Sequence, residues 1–243
     1  MSATYVYGLV GADARLPEDL KGLGPSGRVS TIAHGEVAAI VGDVPVDRPI
    51  GTRDDLLAHE AVVDAVAATT AVLPMRFPAV VESDGVVEEL IAPHHDHFVD
   101  VLDALDGKVQ FTLKGRYEQD VVLAELVEED PEIRALQEKV RELPEDASYY
   151  DRVRLGELVV TALEERRDDE GERLVQRLEP FAAEVVAHRP GQPDDVVNAA
   201  FLVERARIGE FEDAVEDTGR DLAGRVRLRL LGPLAPYDFV PEG

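Results

Sequence analysis

The chain lacks cysteine and tryptophan entirely, and only 4 of its 243 residues are lysine. The absence of cysteine excludes disulfide bonds, thiolate catalysis and cysteine-ligated zinc. No apolar run approaches the roughly 18 residues that cross a bilayer, so we expect no transmembrane helix. The N-terminal stretch MSATYVYGLVGAD has no basic residue before its apolar part, which argues against a signal peptide. The lack of a membrane span and of a signal peptide leads us to expect a soluble cytoplasmic protein, whereas the lack of cysteine says little about the compartment.

Positive charge is also scarce. The 25 Lys and Arg residues face 50 Asp and Glu residues, which gives a formal net charge of −25. Binding to nucleic acid depends on neutralising phosphates, so a nucleic acid partner is not expected. An anionic membrane surface is disfavoured for the same reason. Hydrophobic residues make up 45% of the chain, which is typical of a globular protein with a core.

In the first half of the chain, strand patterns alternate with helix patterns. Residues 3–10 alternate as a strand, with Tyr5 and Tyr7 on one face and Val6 on the other. Helix signals follow, with Thr52 as an N-cap. The predicted order is a strand at 3–10, a hairpin over 28–42 turning at His34-Gly35, a helix over 53–71, a short strand, a helix over 86–105 and a strand over 108–118.

Past residue 118 the chain becomes acidic and helical. Apolar residues keep a helical phase from Leu155 to Val185, which favours one long helix, or two nearly collinear ones, over a helical hairpin. Pro180 marks a possible kink in it. A strand–helix–strand unit closes the chain. We therefore predict an α+β fold of the α/β sandwich type, with a domain at 1–118 and a second at 119–243.

Two motifs invite a reading as binding sites. GLGPSG at 22–27 matches the dinucleotide pattern G-x-G-x-x-G, but a loop precedes it and a strand follows, so we interpret it as a turn. PHHDHF at 93–98 groups His94, His95 and His97, of which His94 and His97 share a helix face. Imidazoles near a carboxylate can bind zinc or nickel. Pro93, however, marks a break or a new first turn there.

The last strand presents a basic face on an acidic protein. Arg225, Arg227 and Arg229 alternate with apolar residues, so they project from one side of the strand. This face would suit an acidic partner segment. The alternative is that the three arginines pair with carboxylates of the chain itself.

The decapeptide VLPMRFPAVV at 72–81 is apolar, yet Pro74 and Pro78 bracket Arg76. Proline lacks the amide donor that a strand ladder needs, so we predict an edge strand, or one bulged or broken near Pro78. Met75 and Phe77 should then face the core under the preceding helix, with Arg76 pointing away or pairing with a carboxylate.

Two stretches carry a family resemblance. LLAHEAVVDAVAATTAVLPMRF at 56–77 resembles the signature of the gas vesicle protein GvpF/GvpL family, and LLGPLAPYDFV at 230–240 resembles its C-terminal signature. YVYGLV at 5–10 is similar to its first strand. Pro78 stands where the family usually has glycine, and Leu234 and Ala235 fill the middle of the C-terminal pattern. These departures leave open whether the chain is F-like or L-like.

The resemblance implies an N-terminal ferredoxin-like α/β domain and a C-terminal domain of long, coiled-coil-like helices with a small sheet unit. It further implies a non-enzymatic accessory protein of gas vesicle assembly, without a cofactor and associated with gas vesicles. Its partners would be the small hydrophobic major shell protein and other accessory proteins. A metal-binding protein or enzyme built on the histidine cluster is the alternative. The motif-matching residues, structural or partner-facing, are His59, Leu73, Pro74, Arg76, Phe77, Gly232, Pro233, Pro236, Tyr237 and Phe239.

Overall fold

The computed structural model describes residues 3–24, 26–44, 49–82, 85–144 and 147–240. Its helices and its antiparallel sheet confirm the α+β class. The chain forms two compact units, and we describe each by itself. Unit 1 comprises Met1–Phe111, Leu202–Arg207 and Leu231–Gly243, and unit 2 comprises Thr112–Phe201 and Ile208–Leu230. The domain boundary at 118/119 lies within unit 2 and stays a prediction. Pro25 of the glycine-rich motif lies outside the described residues.

The sheet of unit 1 is built around its first strand. β1 (Ala3–Gly11) pairs on one side with β3 (Val37–Asp43), which pairs in turn with β2 (Val29–His34). On its other side β1 pairs with two short strands, β4 (Leu73–Pro74) and β5 (Val80–Glu82). The β2–β3 hairpin turns at Gly35-Glu36, one residue later than predicted, because His34 still pairs with Val37.

Helices cover both faces of this sheet. Tyr5 and Tyr7 pack in one apolar cluster with α1 (Arg53–Ala67), whereas Val6 packs in another with α2 (His95–Leu105), as the alternation in the sequence predicts. Each large apolar side chain buried in this way contributes about 1.5–3 kcal/mol. Thr52 caps the N-terminus of α1, as predicted: its hydroxyl accepts from the Asp55 amide while the Asp55 carboxylate accepts from the Thr52 amide.

The predicted helix over 86–105 is interrupted at Pro93, as expected. A π-helical turn, Val86–Ile91, leads into a 3-10 turn, Ala92–His94, and α2 begins only at His95. A second irregularity lies in β1, where the register shifts between Val6 and Gly8. A Cβ on Gly8 would stand 2.8 Å from the Leu73 carbonyl oxygen, so only glycine allows β4 to approach this closely.

Unit 2 combines helices with strands of a four-stranded sheet. The elements that follow α2 are β6 (Lys108–Tyr117), α3 (Gln119–Glu129), α4 (Pro131–Glu142), α5 (Tyr149–Leu178), β7 (Glu184–Ala187), β8 (Asp195–Glu204), α6 (Ile208–Asp221) and β9 (Val226–Leu234). The strand order of the sheet is β7-β8-β6-β9, so β6 lies between β8 and β9, the two strands of the predicted strand–helix–strand unit. Pro131 occupies the first turn of α4 and separates this helix from α3, and Asp130 caps α4.

α5 is a single uninterrupted helix of 30 residues, which confirms the prediction of one long helix. Gly171 stays in it despite its propensity cost, because a Cβ there would lie 2.5 Å from the Val196 carbonyl oxygen of β8. The predicted extension of the helix to Val185 is wrong. Pro180 disfavours helix at the residue before it, so α5 gives way to a 3-10 turn, and Val185 lies in β7.

None of the helices in the described part of the chain combines the length and the apolar character that crossing a bilayer requires.

Candidate functional site

The signature segment at 72–81 breaks the edge of the unit 1 sheet. β4 ends at Pro74 and β5 resumes at Val80, with a cis peptide bond between Phe77 and Pro78. Across the gap, the Met75 amide still donates to the Tyr7 carbonyl at 2.9 Å. The prediction of an edge strand broken near Pro78 is therefore confirmed.

The break also decides where the side chains of this segment point. Phe77 packs against the cluster that contains α1, as predicted, but Met75 packs against the opposite cluster, with α2. The expectation that both lie under α1 is wrong, because it assumed a regular strand in which residues two apart share a face. Arg76 is exposed, as expected.

His59 of α1 is buried at the centre of a hydrogen-bond cluster that joins both signatures. Its Nε2 lies 3.0 Å from the Met75 carbonyl oxygen and 3.0 Å from the Tyr237 hydroxyl, and its Nδ1 lies 2.9 Å from the Tyr5 hydroxyl. A carbonyl only accepts, so Nε2 carries the proton in the neutral ring and Nδ1 accepts from Tyr5. Burial lowers the pKa of His59, and the Met75 carbonyl opposes that shift in part.

The C-terminal signature folds back onto α1 and β6. The Ala235 amide donates to Asp64 Oδ1 at 2.8 Å. Burial raises the pKa of Asp64, and this amide limits the rise. Gly232, in a cis bond to Pro233 at φ 150°, lies where a Cβ would meet the Phe111 ring at 2.5 Å, so glycine is required there.

The remaining signature residues form a short turn. Pro236 precedes a 3-10 turn, Tyr237–Phe239, and its carbonyl accepts from the Phe239 amide at 3.1 Å. Asp238 pairs with Gln110 of β6 twice: the Gln110 amide group donates to the Asp238 carboxylate, and the Asp238 amide donates to Gln110 Oε1 at 3.1 Å. The whole C-terminal signature is thus held in place by buried or half-buried polar groups.

Both signature segments line one open groove of about 630 Å³ in unit 1, which we call the signature groove. Its lining is mostly apolar, with Arg76, His94 and His97 as the basic side chains. The volume is in the range of pockets that bury a small ligand. The lining residues are Leu73, Pro74, Met75, Arg76, Pro78, Ala79, Leu90, His94, His97, Phe98, Tyr237 and Val240.

The histidine cluster is divided in the structure. His94 and His97 both border the signature groove, and the centroid of each imidazole ring lies 5.9 Å from that of Phe98. His95 turns to the β2–β3 hairpin, where its Nε2 accepts from the Glu36 amide at 3.1 Å. Over residues 3–240, masked positions aside, no three His, Asp or Glu side chains are grouped to hold a metal ion. The metal-binding alternative thus rests on the sequence pattern alone.

The basic face of β9 is partly occupied by the chain's own carboxylates. Arg225 pairs with Glu170 through two hydrogen bonds of 2.6 and 2.9 Å, and its Nε lies 2.8 Å from Glu125. Arg227 pairs with Glu118 at 2.6 Å. The structure therefore favours internal pairing for Arg225 and Arg227. Arg229 is exposed, and its binding to an acidic partner segment stays a prediction.

Several residues of the site escaped the sequence reasoning. Arg205 donates to the Ala68 carbonyl at 2.7 Å and to the Ala67 and Thr70 carbonyls, so it caps the end of α1 from a distant segment. Asp64 and Gln110 likewise form hydrogen bonds to residues more than 100 positions away in the sequence. No local pattern marks such residues, because their partners are set only by the fold.

Comparison with known proteins identifies the family. The family model described as "Gas vesicle synthesis protein GvpL/GvpF" matches residues 3–241. Gas vesicle protein F of Streptomyces sp. (strain CB03234) is 35% identical, over 98% of this chain and 99% of that protein. Gas vesicle protein L of the same organism is 33% identical, over 97% and 91%.

Solved structures agree on the fold. The crystal structure of GvpF from Anabaena sp. PCC7120 matches with a TM-score of 0.83 at 23% identity and covers 100% of both chains. GvpF from Microcystis aeruginosa matches with a TM-score of 0.77 at 23% identity and covers 98% of this chain and 99% of that one. Together with the family model and the Streptomyces relatives, these matches show that the chain belongs to the GvpL/GvpF family of gas vesicle synthesis proteins.

Proposed function

We propose that this chain is a non-enzymatic accessory protein of gas vesicle assembly that binds the small hydrophobic major shell protein in the signature groove. Membership of the family establishes the gas vesicle role. The shell protein as partner, the groove as its site, the absence of catalysis and the location in the cytoplasm and at the vesicle belong to the proposal.

One observation carries the proposal: two signatures about 150 residues apart in the sequence converge on the same apolar groove. Residues that serve only the core need not border an opening. Here Leu73 and Pro74 of the first signature and Tyr237 and Val240 of the second all line it. An apolar segment of a partner would bury its side chains against this lining, which is the driving force of most protein association. The groove accepts a few such side chains, not a folded domain.

The charge of the chain supports a holding role. A small, very apolar shell protein exposes surface that promotes aggregation before assembly. A carrier with a net charge of −25 would keep such complexes apart by mutual repulsion. The same carrier would need to release the shell protein to the growing vesicle, where other accessory proteins are the expected partners.

The test is co-expression of the tagged chain with the shell protein, followed by affinity purification. Ala79→Trp fills the groove with bulk, and Leu90→Asp places a charge in it. Leu57→Asp, on an α1 residue that is 50% exposed and outside the groove, is the matched control. We expect both groove variants to reduce the co-purified shell protein about 10-fold, equivalent to about 1.4 kcal/mol of binding. The control should retain it.

Circular dichroism and melting temperature must first show that the variants are folded. Folded groove variants that bind the shell protein as well as the natural chain would refute the groove as its site. A natural chain that binds no shell protein, with normal vesicles in a deletion strain viewed by microscopy, would refute the proposed function as a whole.

A further inference from the structure

The N-terminal part of α5 carries an apolar stripe that no described residue of unit 2 covers. Tyr149, Val153 and Val160 are exposed to 63%, 45% and 55% of their full surface. Together with Gly156 they follow the spacing +4, +3, +4, which places them on one face of the helix and is the spacing of a coiled-coil seam. We call these four residues the α5 seam. Tyr150, 86% exposed, lies beside it.

The opposite face of the helix is already used. Leu155, Leu158 and Ala162 are partly buried there, and α3 and α4 pack along α5. Large apolar side chains left exposed in a row are not needed for that packing. Exposed tyrosines beside aliphatic residues are typical of interface cores, because tyrosine offers a large contact area at a low entropic cost.

Gly156 lies in the middle of the seam. Within the described part of the chain, no atom lies within 4 Å of the position that its Cβ would take, so no internal contact requires glycine there. In an exposed helix position glycine costs about 1 kcal/mol relative to alanine. A glycine in a seam lets the backbone of a second helix approach closely, which would offset that cost on binding.

Charge next to the seam indicates the kind of partner. Glu157 and Glu164 flank it on one side and take part in none of the ion pairs recorded among the described residues. The arginines around them are different: Arg154 pairs with Glu132, Arg166 with Glu125 and Glu129, and Arg167 with Asp168. The seam therefore offers two carboxylates to cations supplied from outside.

A second copy of this chain fits the seam poorly. An antiparallel pair of α5 helices crossing at Gly156 would bring Glu157 of one copy beside Glu157 of the other, and a parallel pair would align all like charges. Each copy also carries a net charge of −25, so long-range repulsion opposes association.

We propose that the α5 seam binds an amphipathic helix of a different polypeptide, one whose apolar stripe is flanked by lysine or arginine. The apolar stripe would pack on Tyr149, Val153 and Val160, its backbone would approach at Gly156, and its cations would pair with Glu157 and Glu164. This surface lies in unit 2 and is independent of the signature groove.

The experiment uses the full chain and two synthetic helical peptides of about 20 residues, long enough to form helix on a template. They share one leucine stripe and differ only in their flanks, lysine in one and glutamate in the other. Binding is measured by fluorescence anisotropy. We expect the lysine-flanked peptide to bind at least about 10-fold more tightly than the glutamate-flanked one.

Variants distinguish specific binding at the α5 seam from non-specific attraction of a basic peptide to an acidic protein. Val153→Asp with Val160→Asp adds negative charge, which would strengthen non-specific binding of a basic peptide, yet we expect binding to fall at least about 10-fold. Val121→Asp, on an α3 residue that is 40% exposed, is the matched control and should bind normally. Glu157→Lys with Glu164→Lys should reverse the preference toward the glutamate-flanked peptide.

Three results would overturn the proposal. One is equal binding of the lysine-flanked peptide to the natural chain and to the double valine variant. Another is no preference between the two peptides. The third is a dimer of the natural chain in sedimentation velocity that the double valine variant abolishes, since it would assign the seam to a second copy.

Discussion

The hydrogen bonds of His59 predict an unequal effect of two conservative substitutions. Tyr5→Phe and Tyr237→Phe each remove one hydroxyl that contacts the buried imidazole. In the tautomer required by the Met75 carbonyl, Nδ1 is a pure acceptor and Tyr5 is its donor. Nε2–H has two acceptors, the Met75 carbonyl and the Tyr237 oxygen, and keeps the carbonyl when Tyr237 is changed. Tyr5→Phe should therefore cost more than Tyr237→Phe.

The magnitudes follow from what each substitution leaves behind. Tyr5→Phe leaves a buried acceptor without its donor, which costs about 1–3 kcal/mol. The Ala79 backbone also hydrogen-bonds to the Tyr5 hydroxyl and loses that partner as well. Tyr237→Phe removes one shared interaction without leaving the imidazole unpaired, which costs about 0.5–1 kcal/mol. Both losses are measurable against a typical unfolding free energy of about 5–15 kcal/mol.

Urea unfolding at pH 7.5, followed by far-ultraviolet circular dichroism, measures both costs. The double variant tests whether the two hydroxyls act on one group: if they do, the two costs should not add, because both contact the same ring. The opposite tautomer would make Tyr237 the sole donor to Nε2 and reverse the order. A cost of Tyr237→Phe equal to or above that of Tyr5→Phe would therefore refute the assignment.

Three further predictions concern stability. Burial lowers the pKa of His59, so the neutral ring favours the folded state. The free energy of unfolding should fall as the pH drops below about 6.5, by up to about 1.4 kcal/mol per pH unit. A His59→Gln variant should show a weaker dependence of stability on pH between 7.5 and 5.5, and the same dependence as in the natural chain would contradict the prediction. Arg205→Ala should cost about 1.5–3 kcal/mol, because three carbonyls at the end of α1, two of them in part-buried bonds, lose their charged donor. Arg205→Lys should recover little of this cost because one ammonium cannot replace the planar fork; full recovery by lysine would count against the capping role. Burial raises the pKa of Glu170, but the hydrogen bonds from Arg225 and Tyr117 lower it by more, so the net shift is downward. Glu170→Gln should therefore cost about 1–2 kcal/mol at pH 7, less than the loss of a fully buried pair because both partners are partly exposed. The difference in stability from the natural chain should disappear as the pH falls below the ordinary pKa of 4.5 and Glu170 becomes protonated, whereas a constant difference down to pH 3 would argue against the ion pair.

Local chemistry accounts for most of what the sequence predicted correctly. The alternation of Tyr5, Val6 and Tyr7 assigned side chains to the two faces of β1, and Pro93 marked the break before α2. The helical spacing of apolar residues on both sides of Gly171 predicted one helix. This prediction is confirmed, because it depends only on residue spacing. Two expectations were wrong at segments that contain a proline. Pro180 ended α5 where a kink was expected, and Pro78 belongs to the irregular segment that sends Met75 to the opposite face.

The site was less predictable than the fold, and the reason is sequence separation. His59, Met75 and Tyr237 are ordinary residues in their own segments, and only closure of the C-terminal segment over α1 brings them together. That closure requires Gly232, whose missing Cβ admits the Phe111 ring, and the Ala235 amide, which binds Asp64. A signature recorded as two separate stretches thus describes one structure, a wall of the signature groove together with the hydrogen bonds that hold it. The same residues stabilise unit 1 and shape the groove, so substitutions at His59 or Tyr237 alter both at once. Loss of shell-protein binding in those variants would not distinguish the two roles. The side chains of Ala79 and Leu90 line the groove, and only the backbone of Ala79 contacts the His59 cluster, through Tyr5, so side-chain substitutions at these two positions separate the roles.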